Sequence, residues 1–170
     1  MREVKGMSVL VTGGGSGIGE GVARLFAARG AKVTIVGRRA EKITAVAKSI
    51  GPLCQAIIGD VSSQQDRERM IAAAIAHGGK LDALINNAGN MYRQAVGEYT
   101  EAVLKEAFDI NVIAGMMLSS MALPALEKTR GAIIFIGSTH TRRAYPGATP
   151  YATTKAAVEG LTRVMAAELG

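Results

Sequence analysis

The chain contains no tryptophan, three phenylalanines and four tyrosines, and a single cysteine among its 170 residues. Each scarcity removes a class of protein. One cysteine cannot close an internal disulfide, so a disulfide-stapled secreted scaffold is excluded, and Cys54 suits a reducing interior. No partner that activates a thiol lies near Cys54 in sequence, which reads it as a packed residue rather than a nucleophile. Aromatic residues at 4% show no stacking pattern, and no zinc-finger spacing or metal-ligand cluster stands out. A net charge of +6 raises the question of nucleic acid, but the basic residues are scattered rather than gathered into a stripe. The expectation is no nucleic-acid partner. Long apolar runs are also missing. The longest uncharged stretch, residues 110–126, is interrupted by Asn111, Ser119, Ser120 and Pro124 and falls short of the roughly 20 residues a membrane span needs. The charged start, followed by an apolar run cut off at Thr12, does not form a signal sequence. No membrane partner and a cytoplasmic location are expected.

What the chain does have is apolar residues at 48% and 21 glycines, enough for one well-buried core. Without a linker, repeat or low-complexity segment, residues 1–170 read as a single domain. Short β-rich runs alternate with helical segments: 8–11 then 17–29, 32–36 then 40–50, 56–58 then 64–77, 81–85 then one or two helices over 100–127, and 132–136 then 151–169. Strands such as Ile133-Ile134-Phe135-Ile136, apolar without alternation, belong in a parallel sheet covered on both faces. The pattern predicts a doubly wound α/β fold of Rossmann type.

Thr12-Gly13-Gly14-Gly15-Ser16-Gly17-Ile18-Gly19 falls at the turn from the first strand into the first helix. Glycines there let backbone approach a pyrophosphate while the helix N-terminus faces its charge. At the end of the second strand, Gly37-Arg38-Arg39 offers two guanidiniums and no carboxylate, a setting for a 2′-phosphate rather than free ribose hydroxyls. NADP(H) is therefore expected over NAD(H). Asp60-Val61 and Asn86-Asn87-Ala88-Gly89 follow the third and fourth strands. Asp60 can accept from an adenine amine with Val61 against the ring, or it can cap a helix, as can Ser62 or Ser63. Asn86 and Asn87 suit a cofactor edge or turn chemistry equally.

Tyr151 and Lys155, four apart on a helix, share a face. Free tyrosine titrates near pH 10, and a neighbouring ammonium favours the phenolate, which suits the pair to proton transfer. Ser138, thirteen residues before Tyr151, is placed to donate to the same substrate oxygen. Asn111 is an amide in an apolar helical segment, either kinking it and holding a water toward Lys155 or buried and satisfied. The loop 143–150 is the candidate for substrate contact, with Arg142 and Arg143 suited either to an anionic substrate or to solvent.

Taken in order, these motifs resemble the short-chain dehydrogenase/reductase family: the Thr-Gly-x3-Gly-x-Gly turn, the Asn-Asn-Ala-Gly segment and the Asn/Ser/Tyr/Lys tetrad. The resemblance implies catalytic roles for Asn111, Ser138, Tyr151 and Lys155. It implies a nicotinamide cofactor held by Thr12, Gly13, Gly15, Ser16, Gly17, Ile18, Gly19, Arg38, Arg39, Asp60, Val61, Asn87, Ala88, Gly89, Tyr151 and Lys155. It implies hydride transfer between a small-molecule carbonyl and an alcohol, and a homodimer or homotetramer paired through the helices of 100–127 and 151–169. Family members continue with two more strands and a substrate-covering segment. The expectation is thus a C-terminally incomplete fold whose fifth strand has an exposed apolar edge. The alternative is a truncated, non-catalytic nucleotide-binding or interaction module.

Overall fold

A computed structural model describes residues 3–170, so Met1 and Arg2 of the charged start lie outside the described residues. Five parallel strands form one sheet in the order β3-β2-β1-β4-β5: β1 Ser8–Thr12, β2 Lys32–Gly37, β3 Cys54–Ile58, β4 Ala83–Asn86 and β5 Ala132–Phe135. Helices α1 Gly17–Ala28 and α2 Ala40–Ile50 follow β1 and β2, and α3 Gln64–Gly78 follows β3. After β4 come α4 Glu101–Phe108, a π-helical turn Asp109–Ile113 and α5 Ala114–Thr129, and α6 Thr149–Leu169 closes the chain. This is the doubly wound α/β fold the alternation predicts.

The register aligns the carboxyl ends: Thr12 lies opposite Val36, Val11 opposite Ile85, Gly37 opposite Ile58 and Asn86 opposite Phe135. Every residue of β1 is buried. One core layer packs α1 and α2 on Val9, Val11, Val33 and Ile35. The other packs α3 and α5 on Leu10, Val36 and Leu84. Cys54 is buried in the first layer, and burial pushes its thiol up to about 11, in keeping with an inert packed residue.

Some boundaries shift. β3 begins two residues before the predicted run and β4 begins and ends later. β5 stops at Phe135, although Ile136 N–H still donates to Asn86 O. A larger difference concerns coverage. β5 lies at the sheet edge, as the exposed apolar edge expected of it requires, but with Ala132 and Ile134 exposed its run is covered mainly on one face, that of α5, rather than on both. The segment Glu101–Thr129 is one continuous helical run, long and apolar enough by length and composition to cross a membrane. The uncharged stretch alone does not reveal this, because charged residues flank it on the same helix. Its Leu118, Ala122 and Leu126 are buried against α3 and the sheet.

Leu118→Ala should therefore cost about 2–5 kcal/mol, measured by urea unfolding. A loss below about 1 kcal/mol would place α5 outside the core.

Candidate active site

The cleft begins where β1 and β4 diverge toward α1 and the turn 87–90. Thr12 Oγ1 donates to Ile85 O at 3.3 Å and accepts from Asn87 N–H and Ala88 N–H, both at 3.0 Å. Asn87 answers with its side-chain amide, which donates to Thr12 O at 2.9 Å and Gly13 O at 3.2 Å. The glycine turn is thereby tied to the end of β4. Gly13 has φ of 68° and a Cβ there would lie 3.0 Å from Ala88 Cα. A Cβ at Gly19 would collide with Gly13 O. These glycines are required by the closeness of chain to chain. Ser16 at the start of α1 makes no capping hydrogen bond, which leaves the positive helix end available to an anion.

A cleft of about 500 Å³ opens over this edge. Of the predicted cofactor residues, Gly13, Gly15, Ser16, Ile18, Arg38 and Arg39 line it, as do Asp60, Val61, Asn87, Ala88 and Gly89. Thr12, Gly17 and Gly19 support the turn without lining it. Arg39 donates to Ser16 Oγ at 3.2 Å, and Arg38 lies 3.8 Å from the Asp60 carboxylate. Asp60 is already engaged by the N–H and hydroxyl of Ser62 at 2.9 and 2.7 Å. The cap of α3 is Ser63, which accepts from Asp66 N–H. Asp66 in turn accepts from Asp60 N–H at 2.7 Å, and this bond, with Arg69, holds its carboxyl below the usual carboxylate range. Lys42 also lines the cleft, a third cation that sequence reading passed over. Its signal was its place in the first turn of α2, close behind Arg38 and Arg39.

Below the cleft lies a hollow of about 10 Å³ shared with Val61, Ala88 and Ile110, and Thr12, Asn111, Ile136 and Lys155 reach it. That is room for roughly one water. Asn111 sits in the π turn. Its Oδ1 accepts from Asn90 N–H at 2.9 Å, while Nδ2 donates to Asn90 O and to Thr154 Oγ1, each at 3.0 Å. Both earlier readings of Asn111 hold in part: the helix does widen there, and the amide is buried and satisfied. Thr154, fully buried, donates to Tyr151 O at 2.8 Å and so joins Asn111 to the first turns of α6. Neither Thr154 nor Asn90 was singled out from the sequence, since a threonine inside a helix and a third asparagine after a turn carry no special pattern.

Lys155 is 5% exposed and its Nζ donates to Ile136 O at 2.8 Å. It lies 5.8 Å from the Tyr151 ring centroid, so the two share a face as their spacing predicts. Burial lowers the Lys155 pKa. Ser138 is three residues beyond β5 and caps a 3₁₀ turn, Thr139–Thr141. Ser138 and Tyr151 line neither the cleft nor the hollow; they stand at the 3₁₀ turn and the start of α6. The loop 143–150 reaches the segment after β4, with Gln94 N–H donating to Gly147 O at 2.9 Å.

A profile of the short chain dehydrogenase family matches residues 7–170. This chain belongs to that family. It is 37% identical to the cis-2,3-dihydrobiphenyl-2,3-diol dehydrogenase of Paraburkholderia xenovorans, a match that covers 98% of this chain and 62% of the relative. It is 34% identical to the L-fucose dehydrogenase of Bos taurus, over 95% of this chain and 60% of that one. The crystal structure of a short-chain dehydrogenase/reductase of unknown function from Caenorhabditis elegans, solved with cofactor, superposes with a TM-score of 0.92 at 28% identity. That match covers 99% of this chain and 66% of the other. The chain thus spans about three-fifths of the length of the curated relatives it matches.

A buried amine with a lowered pKa sheds its proton in the folded state while the unfolded chain still holds one. The sign follows: relative to Lys155→Met, stability of the protein should rise as pH climbs toward about 10.4, the ordinary lysine value, and level off above it. Urea unfolding of both proteins between pH 7 and 10.5 checks this. A constant difference would mean that the amine is as well solvated folded as unfolded.

Proposed function

We propose that this chain acts as an NADP(H)-preferring oxidoreductase that interconverts a carbonyl and an alcohol of a small molecule, with Tyr151 as general acid and base. The observation that carries the reading is continuity. Val61, Ala88 and Ile110 wall both the dinucleotide-sized cleft and the hollow that Asn111 and Lys155 enter, so a ligand in the first meets the residues of the second.

The residues present fit a phosphorylated dinucleotide. Uncapped amides at the start of α1 suit a pyrophosphate, and Arg38, Arg39 and Lys42 gather cations at the end of β2, where a 2′-phosphate is matched by guanidinium geometry. Asp60, whose Oδ1 is taken by Ser62, serves the adenine end through its other carboxylate oxygen. A nicotinamide held by these residues would supply or take up the hydride. The chain handles the proton: in reduction Tyr151 Oη gives it to the carbonyl oxygen, and in oxidation takes it from the alcohol. Ser138 donates a hydrogen bond to that oxygen. Lys155, fixed by Ile136 O, keeps a donor beside Tyr151, and Asn111 holds α6 in place through Thr154. The relatives named as dehydrogenases of a dihydrodiol and a sugar support an alcohol as the substrate class. Half-exposed Ile113, Met116 and Met117 on the π turn and α5 support a homodimer or homotetramer, and the reduced, buried Cys54 suits the cytoplasm.

The test is fluorescence titration with NADPH and NADH, followed by turnover of a panel of ketones and alcohols. Arg39→Ala should weaken NADPH about 10- to 100-fold, as loss of a charged hydrogen bond does, and leave NADH nearly unchanged. Tyr151→Phe should lower turnover about 10²- to 10⁴-fold without loss of cofactor binding. Failure to bind either nucleotide ends the dinucleotide reading. Binding without turnover, indifferent to Tyr151→Phe, identifies a nucleotide-binding module instead.

A further inference from the structure

One side chain at the site has no part in the chemistry above. The ring of His140 stacks on Tyr145, with centroids 4.3 Å apart and planes at 29°, and meets Tyr151 edge-on at 5.2 Å. Its Nδ1 lies 3.2 Å from Ser138 Oγ, and its backbone N–H donates to the same oxygen at 3.2 Å. The turn that carries it is fastened to α6 by Thr141 Oγ1, 2.7 Å from Glu159 Oε1. The remaining ring nitrogen, Nε2, is buried and has no hydrogen-bond partner.

That orphan atom decides where the ring keeps its proton. Neutral imidazole has one N–H and one lone pair. A buried N–H with no acceptor is the rarer and costlier defect, whereas an unpaired acceptor is better tolerated. The proton therefore belongs on Nδ1, where Ser138 Oγ accepts it. Ser138 Oγ then accepts two hydrogen bonds, from the ring and from the backbone of His140, which fills both of its lone pairs. Its own proton has no acceptor left in His140. With the opposite tautomer Ser138 would give that proton to Nδ1 and have none for a ligand.

We propose that His140 is a positioning residue: as the Nδ1–H tautomer, clamped between Tyr145 and Tyr151, it turns the Ser138 hydroxyl proton outward, toward the substrate oxygen. The inference rests on the reading of Ser138 as a donor in carbonyl–alcohol chemistry, but its first consequence is independent of any activity.

Long-range proton–nitrogen correlation spectra of the ¹⁵N-histidine-labelled protein, with His140 assigned by its disappearance in His140→Phe, should show the Nδ1–H pattern of the neutral ring. The Nε2–H pattern would overturn the proposal, whether or not the protein proves to be an oxidoreductase. Where turnover is measurable, His140→Phe keeps the stack but loses the donor. It should lower kcat about 10- to 100-fold, in the range of removing one donor to a reacting oxygen, with cofactor affinity unchanged. His140→Asn, which can return an N–H near the Nδ1 position, should recover kcat to within about 5-fold of the parent, a rescue that loss of structure alone would not give. Ser138→Ala combined with His140→Phe should be no slower than Ser138→Ala alone, because the ring acts only through that hydroxyl. Losses that multiply, or a change confined to KM, would show that His140 acts on its own and would sink the proposal.

Discussion

The side-chain oxygen of Thr12 is the constraint on which the site depends. By donating to Ile85 O and accepting from Asn87 and Ala88 N–H, it pins the ends of β1 and β4 together where the chain changes direction across the sheet. In a doubly wound fold that reversal is where helices leave to opposite faces and a crevice opens. Asn87 completes the join from the other side. The glycine turn is thus fixed by a neighbouring strand. Preorganisation of this kind spares a bound molecule the cost of ordering the loop.

Charge is distributed around that join with a clear division. The cations Arg38 and Arg39 at the end of β2 and Lys42 in α2 face solvent along the cleft, where salt screens them. The amine of Lys155 is buried and bonded to a backbone carbonyl, where screening is weak and position is fixed. One group is exposed and screened, the other buried and fixed, and both sit at the carboxyl edge because the parallel register brings all five strand ends there.

Much of this was legible from the residues. Element order, parallel sheet and the placement of Tyr151 over Lys155 follow from periodicities of two and 3.6, which a linear reading detects. Most of the glycine-turn and arginine residues line the cleft where expected. What escaped was whatever depends on a partner distant in sequence. Asn87 reads as a cofactor or turn residue until Thr12, 75 positions away, is seen to hold it. Arg38 and Asp60, at the ends of different strands, are not apparent as neighbours until the fold brings them within 3.8 Å. Thr154 matters only because the π turn swings Asn111 to it, and His140 only because Tyr145 folds back onto its ring. The exposed face of β5 was missed for a related reason: an apolar run reports which residues prefer burial, not whether a helix arrives to cover them.

The π turn at Asp109–Ile113 has a further meaning for the long helical run. A π turn takes up one extra residue, which sets the helix phase back by about 100° relative to an unbroken α-helix. Glu101–Thr129 therefore behaves as two helices with different azimuths: α4 packs toward α6, whereas α5 packs toward α3 and the sheet. Asn111 stands at the change of phase, bonded back to the segment after β4 and across to α6. Through Asn111 and Thr154 the widened turn thus ties the core helix by a buried hydrogen bond to the helix that carries Tyr151 and Lys155.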